Sequence, residues 1–124
     1  MEIKIIIGDL SMEGELNDSA TAQKVAEALA IKANCNTWGD EIYFSIPVEA
    51  ELDDTAREEV EMGDLGYWPS GNAFCIFFDQ TPMSKPGKII PASALNIIGK
   101  VIGDATGFKG VMQESEVTLL EVRK

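Results

Sequence analysis

Histidine is absent from the 124 residues. Its absence removes the commonest general base near neutral pH and the commonest imidazole ligand for a metal. Triads that pair a serine or cysteine with a histidine base are excluded with it. Cysteine is scarce: Cys35 and Cys75 stand far apart, form no C-x-x-C pair and cannot build a zinc site alone. Only Arg57 and Arg123 carry guanidinium groups, and the eight lysines are scattered. With 21 acidic residues against 10 basic ones the formal charge is −11, so neither nucleic acid nor an anionic membrane surface is an expected partner. No stretch approaches the ~20 apolar residues of a membrane span. The opening MEIKIII lacks a separate basic region or a small-residue cleavage site, so it reads as a first strand rather than a signal peptide. A cytoplasmic protein is expected, and in that compartment a Cys35–Cys75 disulfide is not.

What is present describes one ordinary globular unit. A hydrophobic content of 45% argues against disorder, and the length suits a single domain over residues 1–124. Ile3, Ile5 and Ile7 alternate in EIKIII, a strand in the interior of a sheet, and LSMEGEL after the Gly8-Asp9 turn is its partner. From Asn17 the period changes. Asp18 or Ser19 can cap a helix whose apolar stripe is Ala22, Val25, Ala26 and Leu29, ending near Ile31.

Beyond that helix the chain is β-rich. EIYFSI (41–46) stops at Pro47, and Val48, Ala50 and Leu52 alternate with acids as a half-exposed strand. GYW (66–68) and AFCIFF (73–78) flank a Pro-Ser-Gly turn, and the prolines of 81–91 mark a long loop. Leu95 to Ile102 is an apolar run, Asp104 to Lys109 a helical turn, and Glu116 to Arg123 a closing strand. The expected fold is mostly β, a closed barrel of about eight strands with one or two short helices.

Three blocks narrow this further. NTWGDEIYFSIPV (36–48), VEMGDLGYWPSGNAFCIFFDQTPMS (60–84) and PASALNIIGKVIG (91–103) resemble a prokaryotic family of small cyclophilin-like proteins without an assigned activity. True cyclophilins are more distant, but their segment of the form FHR-I-I-P resembles Ile42 to Pro47. Their FFICT strand resembles Phe74 to Phe78, and their HVVFGKV strand resembles Leu95 to Val101.

The resemblance implies a cyclophilin-like barrel and points to where its isomerase machinery would stand. Prolyl isomerases of this fold use an arginine to weaken the amide double bond, against a barrier of ~18–20 kcal/mol. The matching position here is Phe44. The pocket histidine falls at Leu95, the second FFICT phenylalanine at Cys75 and the loop tryptophan at Met83. Arg57 lies beyond the matching strand in an acidic run, so isomerisation by that route is not expected.

Other constellations have a functional and a structural reading. Asn36 and Trp38 before a strand could bind a polar ligand, or could plug a barrel end and satisfy a turn. Gly63-Asp64-Leu65-Gly66 with Tyr67-Trp68-Pro69 reads as corner packing. The acids Glu49, Glu51, Asp53, Asp54, Glu58, Glu59 and Glu61 fit no calcium loop and read as a solvated face. Asp40 with Glu41, or Glu41 with Asp64, is the candidate carboxylate pair. Thr81, Ser84 and Ser93 either touch a ligand or make local turn contacts.

The leading expectation is a non-catalytic binding module for a peptide or small molecule. Its groove would lie near Phe44, Cys75, Met83 and Leu95, edged by Asn36, Trp38, Glu41, Tyr43 and Tyr67. No catalytic residue, metal ligand or cofactor is assigned. A residual prolyl isomerase is the alternative.

Overall fold

The computed structural model describes residues 1–122. Strands β1 (Glu2–Ile7) and β2 (Leu10–Leu16) form a hairpin, followed by helix α1 (Ala20–Ala28). Then come β3 (Ile31–Asn34), β4 (Asn36–Thr37), β5 (Glu41–Ser45), β6 (Ala56–Arg57) and β7 (Asp64–Trp68). A 3-10 turn η1 (Pro69–Gly71) leads to β8 (Ala73–Phe77), and β9 (Leu95–Ile102) follows the long loop. A second 3-10 segment η2 (Ala105–Val111) precedes β10 (Glu116–Glu121). Arg123, the expected end of that last strand, lies outside the described residues.

All ten strands join one antiparallel sheet in the order β3-β10-β1-β2-β9-β7-β8-β5-β4, with β6 paired to β9. Its first and last strands, β3 and β4, are separated in the chain only by Cys35, so the sheet curls until its edges are chain neighbours. No ladder closes it among the described residues, which corrects the expected closed barrel of about eight strands. The edges can remain unpaired because they are short, four residues in β3 and two in β4.

The helix begins where the capping argument placed it: the Ser19 hydroxyl accepts the Ala22 N–H at 3.2 Å. It stops at Ala28, and Ile31 starts β3 instead of ending the helix. The alternating run at 48–52 is not a strand either. It is an extended segment held by side chains. Tyr67 donates to the Val48 carbonyl at 2.6 Å, and Asn96 donates to that of Glu51 at 2.9 Å. Asn96 also accepts the Asp53 N–H at 2.8 Å and donates to Thr21 Oγ1 at 3.0 Å. These bonds satisfy the backbone without a ladder, and Pro47 has no N–H to offer one.

Strand alternation sorts the core into two layers. Inside the curl lie Ile3, Ile5 and Ile7 of β1, Ile42 and Phe44 of β5, and Phe74 and Ile76 of β8, with Val25 of α1 closing one side. Phe44 and Phe74 stack with centroids 5.1 Å apart. A smaller layer covers the outer face, where Ala73, Cys75, Phe77 and Leu95 meet Val60 and Ile89 from the loops. Strand β8 is therefore buried on both faces, which is why AFCIF is apolar at every position.

Candidate functional site

The site grows from the tightest turn in the outer layer. Trp38 and Glu41 exchange backbone hydrogen bonds of 2.9 and 3.2 Å across Gly39-Asp40, a two-residue hairpin between β4 and β5. Gly39 has φ +59°, a conformation that favours glycine. A Cβ there would meet Pro82 Cδ at 2.7 Å, so the Pro-rich loop closes directly against the turn. Cross-strand partners share a face, and so do residues two apart. Trp38, Glu41, Tyr43 and Asn36, which pairs with Tyr43, therefore all project outward.

Two further elements complete the wall. Trp68 ends β7, and its indole N–H donates to Ser93 Oγ at 2.7 Å, tying the ring to the segment that leads into β9. That segment contributes Pro91, Ala92 and Leu95. Leu95 can lie over β7 because Gly66 has no side chain; a Cβ at Gly66 would stand 2.7 Å from Leu95 Cδ1. Together with Trp38, Glu41 and Tyr43 these residues line a half-open cavity of about 190 Å³.

The loop roofing this region is braced locally. Ser84 Oγ accepts the N–H groups of Thr81 and Ile90 at 2.9 and 3.0 Å, and Thr81 Oγ1 donates to the Ile90 carbonyl. Thr81 and Ser84 thus follow the local reading, whereas Ser93 bonds across the fold to Trp68.

Glu41 supplies the one carboxyl of the cavity wall, and only 6% of it is exposed. Burial pushes its carboxyl up to about 7, an effect partly offset by the thiol of Cys75 beside it. Cys75 is fully buried beneath the wall, and burial together with the neighbouring Glu41 charge pushes its thiol well above the usual range. Such a thiol is a poor nucleophile. Near neutral pH, then, a carboxyl able to lose or keep its proton faces an aromatic pocket with no Lys or Arg in its wall.

Trp38, Glu41, Tyr43 and Leu95 are brought together as the sequence suggested, with Cys75 directly behind them. Trp38 does not plug a barrel end; it lines the outer cavity. Asn36 is exposed and is not among the residues that line the cavity. Met83, 53% exposed, belongs to a neighbouring cleft that shares only Pro91 and Ala92 with the cavity. Phe44 and Tyr67 are corrections, because both are fully buried in the inner layer on the opposite face of the sheet. Trp68 was missed as a wall residue, though alternation with an inward Tyr67 is the signal that would have turned it outward.

The remaining acids do not join this site. Asp64 lines other clefts, so it forms no pair with Glu41, and burial raises its carboxyl in a setting of its own. Arg57 pairs with Leu95 on the outer face, but its guanidinium donates to the Ala56 carbonyl at 2.9 Å and lines a cleft with Asp54, Glu59 and Glu61. The acids of 49–61 are exposed apart from Asp53, which accepts bonds from Thr21 and Thr55. Among the described residues no group of three or more acids or cysteines is arranged to hold a metal. No helix among them is long and apolar enough to cross a membrane.

The model of the Cyclophilin-like family matches residues 1–120. A hypothetical protein of Archaeoglobus fulgidus, solved in solution, is 39% identical, with a TM-score of 0.83 over 98% of this chain and 95% of that one. No curated protein matches.

Proposed function

The chain belongs to the cyclophilin-like family, and from that premise we propose that it is a non-catalytic binding module whose ligand, a small molecule or a peptide side chain, occupies the outer-face cavity. One observation carries the reading. Three aromatic side chains and a single buried carboxyl, from the β4–β5 hairpin and β7, converge on a half-open cavity of about 190 Å³. Largely apolar walls with few, fixed polar groups are the usual composition of a ligand site. A cytoplasmic setting is part of this reading.

Prolyl isomerisation is not part of it. On β5 the outward positions are Glu41, Tyr43 and Ser45, and among the described residues no guanidinium lines the cavity. A bound prolyl amide would find no fixed cation above it.

The test is a fragment and short-peptide screen read by protein-detected NMR. Hits should perturb the amides of Trp38, Tyr43 and Trp68 and lose affinity in Trp68→Ala. A screen that leaves these amides unmoved sinks the reading. Proline-peptide turnover lost on changing Tyr43 would replace it with an enzyme.

A further inference from the structure

We propose that the group held in this cavity is an alkylated ammonium, such as a trimethylammonium head on a small molecule or on a lysine-type side chain; the proposal rests on the binding reading above. The argument begins with the wall. Trp38 comes from the β4–β5 turn, Tyr43 from β5 and Trp68 from the end of β7, so three aromatic side chains gather on the outer face of the sheet around one cavity. The Trp68 N–H is already spent on Ser93, so that indole offers the cavity only carbon and π surface. Aromatic faces attract cations through their quadrupole, most strongly when the cation is poorly hydrated, as an alkylated ammonium is.

Charge points the same way. Glu41 is the one ionisable carboxyl in the wall, no basic side chain opposes it, and the chain as a whole carries −11. An anionic ligand would meet that carboxylate and an unfavourable field; a cation meets its complement. A bare ammonium would lose strong hydration on entering so apolar a space, whereas methyl groups match the Pro91, Ala92 and Leu95 side of the wall. The Cys75 thiol on β8 lies beside Glu41, Asp40 precedes it in the turn and Tyr43 stands two residues along its strand, while Pro91 to Leu95 supply no titratable group.

Titration of the full chain with choline and with 3,3-dimethylbutanol, its neutral carbon isostere, separates charge from shape. Intrinsic tryptophan fluorescence and calorimetry are the readouts at pH 8. The expected result is choline binding at least tenfold tighter than the isostere, with that advantage lost in Glu41→Gln and binding abolished in Trp68→Ala. Equal binding of the two overturns the cation proposal and leaves the apolar binding site standing. No response to either also overturns it, and the fragment screen then decides the binding reading separately. A second arm compares peptides carrying trimethyllysine or unmodified lysine. Tighter binding of the methylated peptide than of choline assigns a peptide source, and binding no tighter than choline assigns a free small molecule. Preference for unmodified lysine counts against the proposal.

Discussion

Replacing Glu41 by glutamine should make the protein more stable, by a margin that grows as pH rises from about 4.5 to about 7. The side chain sits 6% exposed against aromatic and aliphatic neighbours, and burial raises its carboxyl from 4.5 to about 7. The sign follows from linkage. Below pH 4.5 both folded and unfolded chains hold the proton, and the group costs nothing. As pH rises, the unfolded chain ionises first while the folded one retains its proton, so stability falls until about pH 7 and then levels off. Each pH unit in that window is worth ~1.4 kcal/mol, so the full loss is roughly 3 kcal/mol. For a chain of this length that is about 10 °C in Tm. Glutamine keeps the shape and can still accept from the Cys75 thiol, but it carries no charge to bury. Urea melts of both proteins at pH 5 and pH 8 measure the effect, and taking the difference between them cancels the other carboxylates. The gap should be within about 1 kcal/mol at pH 5 and roughly 3 kcal/mol in favour of Glu41→Gln at pH 8. A gap independent of pH, or a wild-type protein that is the more stable one at pH 8, would refute the burial of this carboxyl.

Phe44→Ala removes one half of the Phe44–Phe74 stack from the inner layer and should cost about 3–5 kcal/mol in a denaturant melt; a loss under about 1 kcal/mol would mean the side chain faces outward after all. Asn96→Ala strips the partners of the Asp53 N–H, the Glu51 carbonyl and Thr21 Oγ1, so a loss of about 3 kcal/mol is expected, with protease cutting between residues 48 and 56 enhanced. Cys75 should resist an aromatic disulfide reagent until the chain unfolds, and half-buried Cys35 should react slowly in the folded state. Rapid labelling of Cys75 in the native protein would contradict the closed wall behind Glu41.

Much of the architecture was legible because it is periodic. The alternation of Ile3, Ile5 and Ile7, the Ser19 cap and the turn at Pro69-Ser70-Gly71 each have a local physical cause, and each element forms where that cause placed it. The short pieces were not legible. Strands β4 and β6 hold two residues each, too few for any pattern, and exist only because β5 and β9 offer them partners. The 48–52 segment alternates like a strand, yet its hydrogen bonds go to Tyr67 and Asn96, residues far along the chain.

By composition and motif alone, the sequence determined that histidine chemistry is unavailable, that the chain is mostly β, and that its family is cyclophilin-like. It also singled out Trp38, Glu41, Tyr43 and Leu95. Tertiary structure alone decided which side of each strand faces the outer cavity. In an antiparallel strand the period is two, so an error of one residue turns a core side chain into a wall residue. Phe44 and Tyr67 point inward and Trp68 outward because β8 is packed on both faces between β5 and β7, and only the ladder register reveals that parity.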